Sequence, residues 1–180
     1  MNEEQIISGC RERNREAQKA FYERFSTRVY RLALRLMRNQ QDAFDLTQDT
    51  FVRALQRIDS FDGRAGIGTW LYRIATNEAM QLFRHRRVET RHAQRVYERR
   101  DPSSAGQIPF DRVDLDDALL QLSDAHRSIL ILRYYQGLSY EEIAAVQDCS
   151  PGTVASRLSR ARYELRALLE QSHATPTEEQ

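Results

Sequence analysis

The stretch 138-LSYEEIAAVQDCSPGTVASRLSRAR-162 decides the fold of the C-terminal part of this chain. Ser139 and Glu142 have the spacing of a capping box, in which each side chain accepts a hydrogen bond from the other residue's backbone and so defines a helix start. Ser150 followed by Pro151 is a second start signal, because serine suits the N-cap and proline suits the first helical position. Two helices joined by a short turn over 147–150 are therefore predicted.

The second of these helices, expected over 151–169, has two different faces. At about 100° per residue the apolar positions fall on one stripe, which consists of Val154, Leu158, Ala161, Leu165 and Leu168. The opposite face carries short and basic side chains, as a helix that enters a DNA major groove requires. These candidate contacts are Thr153, Ser156, Arg157, Ser159, Arg160 and Arg162. The segment 138–169 is therefore interpreted as a DNA-binding helix-turn-helix, with an αα-hairpin whose basic face is only solvated as the alternative.

The composition is that of a globular protein with one ordinary domain or two small ones: 180 residues, 41% of them hydrophobic and 29% charged. The longest aliphatic run, 129–132, is too short to cross a bilayer, and the first residues do not resemble a secretory signal. Cys10 and Cys149 are too far apart in sequence to indicate a disulfide or metal motif. We therefore expect a cytoplasmic protein without membrane insertion.

The formal net charge of +1 hides a strong segregation of charge along the chain. Residues 1–38 carry nine basic and five acidic side chains, whereas residues 39–62 carry two basic and five acidic ones. Residues 82–100 then have seven arginines against two glutamates, and residues 155–166 have four arginines against one glutamate. Arginine provides 26 of the 27 basic residues. Its planar guanidinium suits phosphate and guanine, although genomic base composition predicts the same excess.

Helical periodicity without any strand pattern predicts an all-α protein. The expected helices cover 15–38, 42–58, 69–87, 114–122, 125–134, 140–147 and 151–169, and Thr69 is the expected N-cap of the third. Residues 88–113 are first arginine-rich and then rich in proline, serine and glycine, which indicates a flexible linker. The chain is therefore predicted to form two small helical domains joined by that linker.

Three aspartates in the second predicted helix lie at helical spacings of three and four residues. Asp42, Asp45 and Asp49, joined by Gln48, therefore share one face of that helix. Such a stripe is either a solvated surface or a docking surface for a basic partner. Periodicity alone does not separate these two interpretations.

Three segments together resemble the extracytoplasmic-function class of bacterial RNA polymerase sigma factors: DAFDLTQDTFVRAL at 42–55, FDGRAGIGTWLYRIATNEAMQLFRHRR at 61–87, and the helix-turn-helix. The match covers nearly the whole chain and includes the order and spacing of the segments and the linker. It implies a region-two domain over 10–90, a linker over 91–113 and a region-four domain over 114–172. Such a protein would be a transcription initiation factor that binds core RNA polymerase and recognises the −10 and −35 promoter elements, and would not be an enzyme.

The resemblance also implies roles for individual residues. Asp42, Asp45, Gln48 and Asp49 would dock on the coiled coil of the polymerase clamp. The region-two residues that would recognise and melt the −10 element are Arg64, Ile67, Trp70, Tyr72, Arg73, Asn77, Arg84, Arg86 and Arg87. Aromatic faces stack on unpaired bases and arginines hold the backbone, although Trp70 is equally suited to a core. The helix-turn-helix would read the −35 element.

Four positions depart from the family pattern. Phe44 stands where many members have an acidic residue, so it is expected either to alter the clamp contact or to pack inward. Ile67 stands where an aromatic residue is frequent, and Ala155 and Ser159 replace larger residues. The base preferences of the promoter elements are therefore not transferred to this chain.

Other classes of protein are less compatible with the sequence. The loop GRAGIG at 63–68 lacks both the preceding strand and the following Gly-Lys-Ser/Thr of a phosphate-binding enzyme. The four histidines show no i, i+4 pairing with glutamate or cysteine, so no metal, cofactor or small-molecule substrate is expected. The alternative function is a dimeric helix-turn-helix regulator that binds a palindromic operator without polymerase. The existence of a cognate anti-sigma factor is left open.

Overall fold

The structure is a computed structural model that describes residues 1–97 and 115–173. The helices are α1 Glu3–Arg11, α2 Arg15–Met37, α3 Gln40–Gln56, α4 Ile67–Tyr97, α5 Leu115–Gln121, α6 Asp124–Leu130, α7 Tyr140–Gln147 and α8 Pro151–His173. A 3₁₀ turn at Ile58–Ser60 precedes α4, and a π-helical turn at Ile131–Tyr135 follows α6. No strand occurs among the described residues, and the predicted all-α fold with two helical domains is confirmed. None of the described helices combines the length and apolar character needed to cross a membrane.

The N-terminal domain is built on α2. Its apolar residues repeat every three or four positions, and the resulting stripe of Phe21, Phe25, Val29, Leu32 and Leu36 is buried. Helices α1, α3 and α4 pack against α2, and the rings of Phe21 and Phe51 meet edge to face with centroids 5.5 Å apart. Because most helical stability in proteins comes from burying an apolar face, packing of α1, α3 and α4 on α2 stabilises this domain.

The structure changes the expected ends of α4. Thr69 is not its N-cap, because the helix begins at Ile67 and the amide of Trp70 donates to the carbonyl of Gly66 at 3.0 Å. The Thr69 hydroxyl instead lies 3.4 Å from Oε1 of Glu142, in the other domain. The helix also continues to Tyr97, past the expected end at 87 and into the predicted linker over 91–113. The rest of that linker lies outside the described residues.

Helix α1 was not predicted, although the sequence contains its start signal. The Asn2 side chain accepts a hydrogen bond from the amide of Gln5 at 2.8 Å, and the Gln5 side chain accepts one from the amide of Asn2 at 2.9 Å. This capping box begins a helix that buries Ile6 and Cys10 against α2. From the far end of α1, Arg11 Nη2 donates to the carbonyl of Phe61 at 2.7 Å and so supports the loop before α4.

The C-terminal domain contains the predicted helix-turn-helix. The Ser139 amide donates to Oε2 of Glu142 at 2.8 Å, and the Glu142 amide donates to Oγ of Ser139 at 3.1 Å, so the capping box is confirmed. Asp148, in a left-handed conformation with φ 50°, ends α7. The Thr153 amide then donates to Oγ of Ser150 at 3.1 Å, as expected for an N-cap of α8. The apolar faces of α7 and α8 are buried against each other and against α6.

The two domains pack together in what we call the closed arrangement. Helix α4 contacts α6 and α7, and α2 contacts the π-helical turn. The guanidinium of Arg35 lies over the ring of Tyr135, 3.6 Å from its centroid. At a second point of contact, Arg87 Nη2 lies 3.1 Å from Oδ2 of Asp124. Cation–π contacts and ion pairs provide specific polar contacts between the domains, and the buried apolar residues of the two domains form one continuous cluster.

Candidate nucleic-acid and polymerase interfaces

The outward face of α8 carries the side chains predicted to contact DNA. Ser156, Ser159, Arg160 and Arg162 are exposed, and Thr153 and Arg157 are half-buried. Arg157 Nη1 donates to Oε1 of Gln147 at 3.3 Å, which joins α8 to the end of α7. Arg160 makes no hydrogen bond or ion pair with the described residues, so its guanidinium is available to a ligand. Short side chains beside a free arginine let a helix approach base edges closely.

A groove of about 380 Å³ on the N-terminal domain brings four of the predicted −10 residues together. Trp70, Arg73, Asn77 and Arg84 all line it. The three polar side chains are exposed, whereas Trp70 is only 6% exposed and packs against Phe61 with ring centroids 5.4 Å apart. Trp70 therefore belongs to the core and also forms part of the wall of the groove. Polar side chains around an aromatic wall are suited to an unpaired base and its phosphate.

Sequence reasoning missed two further residues of this groove, Arg57 and Gln81. Gln81 follows Asn77 by four residues, and this helical spacing could have placed both on one face of α4. Arg57 lies just after α3, and no spacing along the sequence connects it with α4. Only the packing of α3 against α4 brings its guanidinium to the groove.

Three predicted −10 residues do not join the groove. Ile67 is 1% exposed and belongs to the core. Tyr72 lies in the cleft between the two domains, where burial raises the pKa of its phenol and the charge of Arg28 opposes that shift. Arg64 is exposed, and its amide donates to Oδ1 of Asp62 at 3.0 Å, which lowers the pKa of that carboxyl. Their contacts with promoter DNA stay predictions.

Two more predicted DNA contacts are engaged with carboxylates in the closed arrangement. Arg86 Nη2 lies 2.7 Å from Oδ1 of Asp42, and Arg87 pairs with Asp124 as described above. Each of these guanidinium groups is about half exposed, with 49% and 63% of the side-chain surface accessible. Exposed pairs of this kind are weak, so a phosphate group can compete with the carboxylate.

The acidic stripe predicted on α3 lies on its surface. Asp45, Gln48 and Asp49 are exposed, whereas Asp42 is half-buried beside Arg86. Phe44 is 46% exposed, so it does not pack inward. Val52, which sequence reasoning did not single out, is 54% exposed two turns further along α3. Large apolar side chains among acidic ones give this face the mixed character of a protein-binding surface.

Comparisons with known proteins support the resemblance that the sequence carries. The family model Sigma-70 region 2 matches residues 21–89, and the model Sigma-70, region 4 matches residues 112–165. The first match contains α3, the groove and α4 as far as residue 89, and the second contains α7 and α8 as far as residue 165.

The chain is also similar to individual proteins. It is 41% identical over 149 residues to the ECF RNA polymerase sigma factor SigE of Mycolicibacterium smegmatis. This alignment covers 79% of this chain and 57% of SigE. It is 32% identical over 158 residues to the ECF RNA polymerase sigma factor SigW of Bacillus subtilis, which covers 81% of this chain and 84% of SigW. Among solved structures, the sigma factor RpoE in complex with the anti-sigma factor NepR from Bartonella quintana aligns with a TM-score of 0.65 at 32% identity, covering 84% of this chain and 96% of that one.

Proposed function

Because this chain belongs to the extracytoplasmic-function class of sigma-70-family RNA polymerase sigma factors, which direct polymerase to promoters, we propose how three of its surfaces divide that task. The acidic and apolar face of α3 docks on core polymerase. The groove on α4 holds the exposed strand of the −10 element, and the outward face of α8 reads the −35 element. The core polymerase catalyses RNA synthesis, and the chain acts with it in the cytoplasm.

The observation that carries this proposal is the convergence of Trp70, Arg73, Asn77 and Arg84 in one groove, on a different domain from the helix-turn-helix. A palindrome-binding dimer needs one reading helix in each protomer, whereas this chain offers two unlike reading surfaces. Arg73 and Arg84 can neutralise phosphates on either side of a base that meets Trp70 and Asn77. This arrangement favours a bipartite promoter reader over the dimeric regulator.

We expect that the closed arrangement is not the one that reads a promoter, because it holds the two domains in direct contact. The names of the −10 and −35 elements imply a separation of about 25 base pairs, or about 85 Å along B-form DNA at 3.4 Å per base pair. In the closed arrangement Thr69, at the start of α4, lies 3.4 Å from Glu142, at the start of α7. We therefore expect the domains to separate when the chain binds polymerase and promoter DNA.

A protein partner that stabilises the closed arrangement would keep the chain inactive. The solved structure of RpoE in complex with the anti-sigma factor NepR is similar to the present structure over 84% of this chain. On that basis we propose a cognate anti-sigma factor for this chain as well. Pull-down with the full chain from its own cells, followed by mass spectrometry, should recover one such protein in stoichiometric amount, and recovery of polymerase subunits alone would contradict the proposal.

Run-off transcription on a library of genomic fragments tests the main proposal. Core polymerase with this chain should initiate at fragments that share two unlike elements, about 25 base pairs apart, while either component alone should not. A footprint over a palindrome by the chain without polymerase would instead support the dimeric regulator.

Charge reversal tests the docking surface on α3. The double variant Asp45→Arg/Asp49→Arg should bind core polymerase at least about tenfold more weakly, because both carboxylates are exposed and available to a basic partner. The matched control, Glu12→Arg/Glu23→Arg, makes the same charge change at exposed positions near α1 and on α2. Equal binding by the two variants, measured by fluorescence anisotropy with labelled chain, would exclude the α3 face as the docking surface.

A further inference from the structure

A cleft of about 830 Å³ lies between the two domains, and its walls carry five arginines. Arg28, Arg31 and Arg35 come from one face of α2, Arg38 caps the C-terminal end of that helix, and Arg127 comes from α6. The α2 arginines follow each other at spacings of three and four residues, which places them together on one side of the helix, beside its buried stripe. The closed arrangement then brings Arg127 to the same cleft.

Among the described side chains, two carboxylates pair with arginines of this cleft, which is too few to balance its charge. Asp117 lies 3.3 Å from Arg38. Asp124 lies 2.8 Å from Arg127, but it is shared with Arg87. Positive charges held this close repel one another unless an anion lies between them.

Arg28 and Arg31 have no ion pair or hydrogen bond with the described residues, and both are exposed to the cleft. No carboxylate of the described chain therefore competes for them. They are the two guanidinium groups most available to a ligand in the cleft.

Arg127 provides an independent sign of a missing partner. It is only 6% exposed, and its buried Nε has no hydrogen-bond partner among the described residues. Burial lowers the pKa of its guanidinium, and the charge of Asp124 opposes that shift. A buried donor without an acceptor costs free energy, so the described residues leave part of the hydrogen-bonding capacity of this guanidinium unused.

The rest of the cleft wall is apolar and aromatic. Tyr72 and Tyr135 provide rings, and Leu34, Leu119 and Ile131 provide aliphatic surface. The volume lies within the range of about 300–1,000 Å³ that is typical of small-molecule sites. Guanidinium groups bind phosphate oxygens in pairs, with better geometry than lysines offer.

We propose that this cleft binds a small polyphosphate anion, of the class of pyrophosphate or a nucleoside diphosphate. The phosphate groups lie among Arg28, Arg31 and Arg127, and a nucleoside, where present, lies against the tyrosines. Because the site is built from both domains, the anion stabilises the closed arrangement by binding only to it. We expect the chain to stop reading promoters when the anion is bound, and this expectation rests on the proposed function. Binding of the anion to the cleft does not rest on it.

Isothermal titration of the full chain with sodium pyrophosphate and with GDP, at physiological salt and without polymerase or DNA, tests the site. Saturable binding at one site per chain is expected. Arg28→Ala/Arg31→Ala should weaken it at least about tenfold, because each substitution removes a charge-assisted contact. The control Arg15→Ala/Arg24→Ala removes the same charge from α2 outside the cleft and should stay within about twofold of the wild type.

Three results would overturn the proposal. The first is that neither probe binds. The second is that both double variants weaken binding equally. The third is that a hexaglutamate peptide binds more tightly than both phosphate probes, which would make the cleft a site for an acidic protein segment. Because polymerase and DNA are absent, each of these outcomes is independent of whether the chain directs transcription.

A variant at the domain contact tests the bridging role. Thr69 is 7% exposed at its contact with Glu142 and lies outside the cleft, so the bulky, uncharged substitution Thr69→Trp should hold the domains apart without adding a charge near the anion. We expect pyrophosphate affinity to fall at least about tenfold, with helix content unchanged by circular dichroism. Unchanged affinity would show that one domain holds the anion alone.

Discussion

The two helices that we propose to face DNA, α4 and α8, separate core from surface in different ways. On α8 the buried residues are Val154, Leu158 and Ala161, and none of them is a candidate DNA contact. On α4, Trp70 and Tyr72 are candidate contacts and are also buried. On α8 the candidate contacts are polar or basic side chains that are not part of the core. On α4 the large aromatic side chains that suit unpaired bases also stabilise the domain.

Trp70→Ala should therefore have the largest effect on stability. Removing a buried indole costs about 3–5 kcal/mol of the free energy of unfolding, because it deletes apolar contacts and leaves a cavity beside Phe61. Urea denaturation of the full chain measures the change. Arg73→Ala, in the same groove but exposed, should change stability by at most about 0.5 kcal/mol while still weakening −10 binding. If Trp70→Ala were as stable as Arg73→Ala, the candidate contacts of α4 would not stabilise the domain, and α4 would not differ from α8 in this respect.

Arg160→Ala should affect binding without affecting stability. The guanidinium is exposed and has no described partner, so its loss should cost about 1–3 kcal/mol of promoter affinity, confined to one −35 position. Binding of holoenzyme to a set of promoters with single −35 substitutions measures this. Arg166→Ala, whose side chain pairs with Glu170 at 2.6 Å, is the control and should leave base preference unchanged. A uniform loss over all promoters would assign Arg160 to the DNA backbone.

Ser150→Ala should destabilise the start of α8 by about 1 kcal/mol, because the Thr153 amide loses its acceptor. Thermal unfolding followed by circular dichroism detects the change. The variant Ser150→Thr, which keeps the hydroxyl, should retain most of the stability, so equal losses in both variants would argue against a capping role.

A substitution at the start of α4 should change stability least among these variants. Gly66 precedes the helix without a side chain to cap it, and a Cβ built there meets no atom within 4 Å. Gly66→Ser should add a few tenths of a kcal/mol to the free energy of unfolding, since serine is a slightly better N-cap than glycine. A loss of stability would mean that the loop before α4 needs glycine for a reason other than capping.

Most of the helices could be predicted from the sequence, because periodicity and caps act over a few residues. Helix α7 has the predicted bounds, and α8 begins at the predicted residue. Thr69 was wrongly taken as a cap because it is a good capping residue, but tertiary packing gave its hydroxyl a partner in the other domain. The end of α4 was missed for a related reason, since arginine is a good helix former and a change in composition does not have to end a helix.

The sequence by itself determined that this chain is an all-α protein whose helix at 151–169 has an apolar and a basic face and whose second helix carries an acidic stripe, because helical periods assign each side chain to a face. The −10 candidates came from the family resemblance. Only the tertiary structure decided that Trp70, Arg73 and Asn77 share a groove, that Tyr72 is buried between the domains, and that the α2 arginines meet Arg127 in one cleft. The physical reason is that a period shows which face of a helix is buried, but not which distant helix covers it. That choice depends on the shapes and charges of whole surfaces.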